Sequence, residues 1–351
     1  MPVSISTCLS PELQSDWDEG CPVVVGLVNN MPDAALRSTE RQFYELLSAA
    51  SKDHRVCLRL FSIPELPRGD LGRRLIAQSY EDITRLWTSR LDGLIVTGTE
   101  PRAAALTNET YWTTLTKLVD WAEDHTFSTI WSCLAAHAAV LHLDCIPRRA
   151  LREKLTGTFD CGKAEEHTIM FGLPSRWRVP HSRCNELPED ALVSNGYRIL
   201  SSSVEAGADI FVKHRTSLFI FMQGHPEYDP GALGREYRRD AVRFLAGERD
   251  SYPEIPRGYF DNETTALLTA YRQQALRKQG CDLVPKFPCV DQQKLLYDWR
   301  KVAIQLYTNW LSCLAEEKAR TLSLSRSLAI SETVRESMPH DLQDYMPALS
   351  C

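Results

Sequence analysis

The chain has 351 residues, of which 43% are hydrophobic and 25% are charged, and its formal net charge is −6. This length and composition can build one large hydrophobic core or two modest ones, and they exclude a mainly disordered chain. The acidic balance leaves no general surplus of Lys and Arg for binding phosphates, so neither nucleic acid nor an anionic membrane surface is an expected partner. Small-molecule chemistry is the expected function class.

The first residues contain acidic side chains at Asp16, Asp18 and Glu19 and no long apolar run. Neither a signal peptide nor a membrane span is predicted there or later, so we expect a cytoplasmic protein. The eleven cysteines are scattered, without the paired spacing of a disulfide framework or a zinc ribbon.

One group of residues, Cys133, His137, His142 and Cys145, resembles a metal-binding set. On the helix predicted there, their spacing places the four side chains on several different faces. We therefore predict no metal site.

The first predicted elements alternate between strands and helices. The strands are short apolar runs rich in β-branched residues, as is typical of buried parallel strands. The predicted strands are 22–30, 56–62, 93–97 and 128–132, and the predicted helices are one capped by Ser38, then 80–90, 112–123 and 134–141. This alternation predicts an α/β fold with a mostly parallel sheet and helices on both faces, which binds ligands at the carboxyl ends of its strands.

The C-terminal region has two predicted helices, 262–279 and 292–314, which we expect to pack on the core or to build a dimer interface. The tail after them is rich in Ser, Leu and charge and is predicted to be one exposed helix with a frayed end. The predicted organisation is an N-terminal arm at 1–20, an α/β catalytic domain at 21–260, a C-terminal helical segment at 261–314 and a tail at 315–351.

Cys133 lies between the strand 128–132 and the helix that begins at Leu134. A nucleophile on such a turn projects from the sheet edge, and the backbone N–H groups of the helix start can stabilise a thiolate and the oxyanion of a tetrahedral intermediate. The alternative is that Cys133 is one more buried apolar thiol.

A second motif follows the apolar strand that ends at Gly224. His225 and Glu227 are two residues apart, and in an extended segment their side chains would lie on the same side. They could act as a general base and the carboxylate that orients it. The alternative is a surface turn in which Asp229 caps the helix 233–245.

Together these two elements resemble the homoserine O-succinyltransferase and O-acetyltransferase family, whose fold is similar to class I glutamine amidotransferases. Further matching motifs are spread from about residue 22 to residue 314. They are Asn30-Met31-Pro32, Val96-Thr97-Gly98, Tyr111-Trp112, Glu153-Lys154-Leu155-Thr156-Gly157, Pro180-His181-Ser182-Arg183, Arg239-Asp240 and Thr308-Asn309-Trp310-Leu311.

The resemblance implies a role for each matching residue. Cys133 would form the acyl thioester, His225 would be the general base, and Glu227 would be its partner. Three further positions, Lys154, Ser182 and Arg239, match family residues that contact the substrate. Arg239 would be a bidentate clamp for the carboxylate of an amino acid. Judged without the family, Lys154 could be a solvated helix charge, Ser182 a turn residue and Arg239 a surface charge.

The expected reaction has two steps and requires no metal and no permanently bound cofactor. Cys133 attacks the thioester of succinyl-CoA or acetyl-CoA, and His225 then activates the hydroxyl of the amino acid. The backbone N–H of Leu134, with a donor from the Gly98–Thr99 turn, would hold the oxyanion. Such a scheme predicts ping-pong kinetics and an acyl adduct on Cys133.

The sequence departs from the family at two places. Residues 33–36, Asp-Ala-Ala-Leu, lack the lysines that relatives often carry, so contacts to the phosphates of coenzyme A must come from elsewhere. Arg102 falls where the family has a small residue for succinyl-CoA or an acidic one for acetyl-CoA. An arginine there could pair with the free carboxylate of a succinyl group, which favours succinyl-CoA. Alternatively, Arg102 pairs with Glu100 at the surface.

Other functions remain open at this point. One is homoserine or serine O-acetyltransfer, and another is a glutamine amidotransferase-like hydrolase. Hydrolases of that kind usually have glycines two residues on either side of the nucleophile, where this chain has Trp131 and Ala135. The third is a non-catalytic binding module of the same fold. We expect small-molecule substrates and a homodimer.

Overall fold

A computed structural model describes residues 3–5, 22–277, 286–290, 295 and 297–337, and for residues 5, 326 and 328–337 it describes the backbone alone. Over these residues, ten strands form one sheet. The strands are β1 (Val3–Ile5), β2 (Val23–Val28), β3 (Val56–Phe61), β4 (Gly93–Val96), β5 (Ser128–Ser132), β6 (Arg149–Lys163), β7 (Arg176–Glu186), β8 (Arg198–Ser203), β9 (Gly207–His214) and β10 (Leu218–Met222).

The strand order is β1-β3-β2-β4-β5-β10-β9-β8-β6-β7. All neighbours from β1 to β10 in this order are parallel, and the remaining neighbours are antiparallel. The predicted α/β class with a mostly parallel sheet is therefore confirmed. The antiparallel part was not predicted, because strands such as β6 are largely solvent-accessible over their first half and lack a continuous apolar run.

The helices are α1 (Asp33–Ala50), α2 (Asp70–Ser79), α3 (Ile83–Trp87), α4 (Trp112–His125), α5 (Leu134–Asp144), α6 (Glu189–Ser194), α7 (Ala232–Leu245), α8 (Asn262–Arg277) and α9 (Arg300–Ser337). Two predicted helix positions were wrong. Ser38 is inside α1, where its hydroxyl donates to the Ala35 carbonyl, and Pro32 occupies the N-cap. The predicted helix 80–90 is shorter in the structure, because the Asp82 side chain accepts the N–H of Thr84 at 2.8 Å and caps α3, which begins at Ile83 and ends at Trp87.

Helices cover both faces of the sheet. Alternate residues of the central strands point to opposite faces, so Trp131 packs in a cluster with α4 and α5, and Ile130 packs in another with α1 and α9. The antiparallel strands extend the same two clusters, with Phe211 in the first and Val179 in the second. A third cluster joins α7 and α8 to Trp299.

Two buried hydrogen bonds join the last described helix, α9, to residues at the starts of strands β4 and β5. Trp310 donates its indole N–H to the Ser128 hydroxyl at 3.0 Å, and the buried Lys318 ammonium donates to Asp92 at 2.8 Å. The C-terminal helix thus packs on the core, and the predicted division at residue 314 falls inside continuous helix α9. The domain boundaries remain predictions, and residues 1–2 and 6–20 of the predicted arm and residues 338–351 of the predicted tail lie outside the described residues.

No helix within the described ranges is both long enough and apolar enough to cross a lipid bilayer.

Candidate active site

Cys133 occupies the sharp turn between β5 and α5. Its backbone has φ 53° and ψ −114°, a conformation that is unusual for any residue other than glycine and that costs about 1–3 kcal/mol. Its N–H donates to the Met222 carbonyl at the end of β10, at 2.7 Å. The packing of the strand ends therefore holds the thiol at the carboxyl edge of the sheet.

Strand order brings the second motif to the same place. β5 and β10 are parallel neighbours, with Ser132 aligned to Met222, so the chain that leaves β10 starts beside Cys133. Since ligand sites in parallel sheets lie at the carboxyl ends of strands, this edge is the expected location of a site. The rings of Trp131 and Phe219, 5.6 Å apart, pack the two strands together beneath it.

Cys133, His225 and Glu227 form a connected set of side chains. The Cys133 sulfur and the His225 ring share a hydrogen bond, and His225 Nδ1 lies 2.8 Å from Glu227 Oε1. The segment is a tight turn, closed by the Tyr228 N–H donating to the His225 carbonyl at 3.1 Å, where an extended segment was predicted. The Tyr228 ring stacks on His225 at 4.3 Å between ring centroids, so the imidazole has little freedom to rotate.

The charges around His225 favour its protonated form. Burial alone lowers the pKa of this imidazole, but the negative charges of Glu227 and the Cys133 thiolate, with their hydrogen bonds, raise that pKa well above its usual value. The arrangement therefore places a protonated imidazole beside the Cys133 sulfur, and an imidazolium in this position can stabilise a thiolate.

A backbone donor lies next to the thiol. The N–H of Leu134 belongs to the first turn of α5, where N–H groups have no acceptor within the helix. A side-chain carbon placed at Gly98 would come within 2.9 Å of this nitrogen. The Gly98 turn is fixed from below, because the Asn30 N–H donates to the Thr97 hydroxyl at 2.8 Å.

These groups surround a cavity of about 420 Å³. Every predicted site residue except Arg102 lines it. The predicted residues that line it are Gly98, Thr99, Cys133, Leu134, Lys154, Ser182, His225, Glu227 and Arg239.

The three predicted substrate contacts lie on one wall of the cavity, and each is bonded to an acidic residue of α7. Lys154 is on strand β6, and its ammonium lies 3.0 Å from Asp240. Arg239 donates to the same carboxylate at 2.9 Å. The Ser182 hydroxyl donates to Glu236.

Sequence reasoning assigned no role to Glu236 or Asp240. Their spacing of four residues on the helix that carries Arg239 was the available signal, because such residues share one face. Burial by itself would raise the pKa of Asp240, but the charges of Lys154 and Arg239 hold that pKa below its usual value. The wall thus carries fixed charges of both signs.

Arg102 lies outside the cavity that Cys133 lines. It is exposed and lines a second cavity of about 690 Å³, and its N–H donates to Glu109 at 2.6 Å. The two cavities adjoin, since residues such as Thr99 and Pro101 line both. The alternative pairing of Arg102 with Glu100 is not observed, as Glu100 is 3.0 Å from Arg243.

The histidines near Cys133 bond to other partners. His137 Nε2 lies 2.9 Å from Gln223 Oε1, and burial lowers the pKa of this imidazole to about 3, so the ring is neutral.

In the described part of the chain, the one buried group with metal-ligand chemistry is Cys161, His181 and Asp209, whose ligand atoms lie within 4.8 Å of one another. It lies beneath Gly224, and a side-chain carbon there would come within 2.6 Å of Asp209.

Solved structures of glutamine amidotransferases align with the chain at low similarity. One from Methylobacillus flagellatus has a TM-score of 0.47 and 12% identity, and the match covers 84% of this chain and 94% of that chain. Another from Thermotoga maritima has a TM-score of 0.45 and 13% identity, with 83% and 98% covered.

The sequence comparisons concern one family. The family model for homoserine O-succinyltransferase matches residues 9–320. A homoserine O-succinyltransferase from Rhodopseudomonas palustris is 48% identical over 296 residues, which are 84% of this chain and 89% of that protein. One from Bradyrhizobium japonicum is 45% identical over 295 residues, 84% of this chain and 90% of that protein. The chain therefore belongs to the homoserine O-succinyltransferase family.

Proposed function

We propose that this protein transfers a succinyl group from succinyl-CoA to the hydroxyl of homoserine through a thioester on Cys133, as a step of methionine biosynthesis. The observation that carries the proposal is the hydrogen-bonded set of Cys133, His225 and Glu227 at the wall of a cavity, in a chain that belongs to this family. No metal takes part in the proposed reaction.

In the first step the Cys133 thiolate attacks the thioester carbonyl. The N–H of Leu134 and the Gly98–Thr99 turn stabilise the oxyanion of the tetrahedral intermediate. When the intermediate collapses, the bond to the coenzyme A sulfur breaks, and the His225 imidazolium gives its proton to that sulfur. The products are free coenzyme A, a succinyl thioester on Cys133 and a neutral imidazole.

In the second step the neutral His225 ring accepts the proton of the homoserine hydroxyl. The hydroxyl oxygen attacks the thioester carbonyl, and the Cys133 thiolate leaves. Glu227 holds the ring in position and stabilises the imidazolium that forms again. The second step restores the starting charges, so one histidine serves as acid in the first step and as base in the second.

The acceptor is proposed to bind at the wall built by Lys154, Ser182 and Arg239. Homoserine carries a carboxylate and an ammonium group, and this wall offers groups of both signs. Arg239 is the proposed clamp for the carboxylate, because a guanidinium can donate two parallel hydrogen bonds to it. Glu236, which lies within the same wall, is the proposed acceptor for the ammonium.

The donor is proposed to approach from the second cavity, which adjoins the catalytic one at Thr99 and Pro101. In this arrangement the thioester reaches Cys133 while the remainder of coenzyme A lies in the second cavity. Arg102 remains a proposed donor contact. Its place in the second cavity favours contact with the coenzyme A portion over contact with the acyl group.

Steady-state kinetics with succinyl-CoA and acetyl-CoA, each against homoserine, serine and glutamine, test the proposal. We expect parallel-line ping-pong kinetics with succinyl-CoA and homoserine, and a succinyl adduct on Cys133 by mass spectrometry when the acceptor is omitted. Activity that survives in Cys133→Ala, or a ternary-complex pattern, contradicts the scheme. Preference for acetyl-CoA or ammonia release from glutamine would identify the alternative enzymes, and the absence of thioester cleavage would identify a binding module.

The working unit is proposed to be a cytoplasmic homodimer. Exposed leucines at Leu267 and Leu276 leave apolar surface on α8, which a second copy could cover. Light scattering of the purified chain measures the mass directly, and a monomer at micromolar concentration would contradict the dimer.

A further inference from the structure

Arg148 also lines the catalytic cavity, and sequence reasoning assigned it no role. It lies on the connection between α5 and β6 and is half-buried. Over the described ranges, its guanidinium has no hydrogen-bond acceptor and no ion-pair partner. Among the residues that the structure describes, Arg148 is therefore a guanidinium of the cavity wall without a partner.

The other lysine and arginine side chains that line the cavity have hydrogen-bond or ion-pair partners within the protein. The guanidinium of Arg183 is occupied by the carbonyls of Asn185 and Ala206. The remaining lysine and arginine side chains pair with carboxylates. Asp240 pairs with Lys154, Arg239 and Arg249. Glu100 pairs with Arg243. Arg148 thus differs from them in being available to an anionic ligand.

The position of Arg148 relates it to the nucleophile. Its charge acts on the His137 ring, which is one helical turn from Cys133, where the His137 N–H donates to the Cys133 carbonyl at 3.3 Å. A guanidinium that is partly removed from water binds a carboxylate more strongly than one at the surface, because less hydration is lost when the pair forms. Arg148 and Cys133 line the same cavity, so an anion bound by Arg148 would share that cavity with the acyl group on the thiol.

We propose that Arg148 binds the free carboxylate of the succinyl group and selects a dicarboxylic acyl donor over acetyl. This inference rests on the proposed function. Only two methylene groups separate that carboxylate from the reacting carbonyl carbon, so it must bind in the same cavity as Cys133. Arg102 lines the other cavity and is therefore less well placed to bind the succinyl carboxylate. The phosphates of coenzyme A lie beyond the pantetheine arm and are expected outside the catalytic cavity.

The first measurement compares Arg148→Gln with the wild-type enzyme, using succinyl-CoA and acetyl-CoA as donors. Loss of a charge-assisted contact predicts that kcat/KM for succinyl-CoA falls about 10- to 100-fold, with acetyl-CoA changed less than about threefold. Arg148→Lys keeps the charge and should recover part of the loss. The neighbouring Arg149→Gln is the matched control, because Arg149 is exposed and pairs with Glu186 outside the cavity.

The succinyl thioester of pantetheine, which has no phosphates, separates the two possible anions. If Arg148 binds the acyl carboxylate, Arg148→Gln loses the same factor with this donor as with succinyl-CoA. A loss that disappears with the phosphate-free donor would mean that Arg148 binds a phosphate and would overturn the proposal. Equal losses with succinyl-CoA and acetyl-CoA would overturn it as well.

Protection of the thiol provides a readout that needs no turnover. Free succinate should slow alkylation of Cys133 by iodoacetamide in the wild-type protein more than acetate does, and Arg148→Gln should lose this difference while keeping its alkylation rate without ligand. That unchanged rate also shows that the variant is folded. Wild-type protein that fails to transfer succinyl groups contradicts the proposed function, whereas unchanged protection and kinetics in Arg148→Gln contradict this inference alone.

Discussion

Gly98 and the backbone nitrogen of Leu134 are so close that a side-chain carbon at residue 98 would lie 2.9 Å from that nitrogen. The glycine thereby keeps one face of the Leu134 N–H open toward the cavity that also contains Cys133. A substrate oxygen can occupy that space, which is the geometric requirement for an oxyanion donor.

Gly98→Ala is therefore expected to lower kcat about 10²- to 10³-fold, the usual effect of losing one oxyanion donor. The Cys133 thiol should still react with iodoacetamide, because the thiol itself is not covered. Pre-steady-state kinetics of coenzyme A release measure the effect. Gly162→Ala is the control, since its nearest neighbour would be 3.7 Å from the added carbon. Similar activity in both variants would exclude Leu134 as the donor.

Glu227→Gln is expected to remove the main charge that raises the pKa of His225. The imidazolium then loses its proton at lower pH, so the positive charge beside the Cys133 sulfur persists over a narrower pH range. We expect kcat/KM to fall about 10³-fold and the pH profile of Cys133 alkylation to change shape. The exposed Glu205→Gln is the control. An unaltered alkylation profile in Glu227→Gln would contradict the assigned partnership.

The neutral, buried His137 predicts acid sensitivity. Its pKa is about 3 in the folded protein, lowered by burial from an ordinary value of 6.5, so below pH 6.5 the unfolded chain binds a proton that the folded protein does not. Stability therefore decreases as pH falls from 6.5 toward 3, by up to about 1.4 kcal/mol per pH unit. Urea unfolding at pH 7, 6 and 5 measures the free energy of unfolding of both proteins. As the pH falls, this free energy should decrease less in His137→Gln than in the wild type. The same decrease in both proteins would exclude a contribution from His137.

The Lys318–Asp92 pair, at 2.8 Å, tests how far the C-terminal helix belongs to the folded core. Burial raises the pKa of Asp92, and the Lys318 charge opposes that rise. Lys318→Met would leave the carboxylate without this cation and should lower the free energy of unfolding by about 3–5 kcal/mol. Adding Asp92→Asn should restore much of the loss. A change below about 0.5 kcal/mol would indicate that α9 is dispensable beyond Leu314.

Arg239→Gln tests the acceptor wall. Removal of the proposed carboxylate clamp should raise KM for homoserine about 10- to 100-fold, while the release of coenzyme A in the first step stays near its wild-type rate. Arg235→Gln is the control, because Arg235 lies on the same helix but pairs with Asp229. Equal impairment of both half-reactions in Arg239→Gln would instead indicate damage to the catalytic set.

The sequence alone determined the local features of this protein. The apolar runs that become β2, β3, β4 and β5 were recognisable because a buried strand needs continuous hydrophobicity. The placement of Cys133 between a strand and a helix followed directly, and the motifs that resemble the family led to a membership that the comparisons confirm.

Only the tertiary structure decided which distant groups meet. Cys133 and His225 lie together because β10 is the parallel neighbour of β5, a pairing that no local pattern encodes. The bonds of Lys154 and Arg239 to Asp240, and the lack of a partner for Arg148 among the described residues, depend on how α7 and the α5–β6 connection approach the sheet edge. Strand order and side-chain geometry arise from the packing of the whole chain. Residue type and spacing could therefore identify candidate site residues, but they could not predict which of them contact one another.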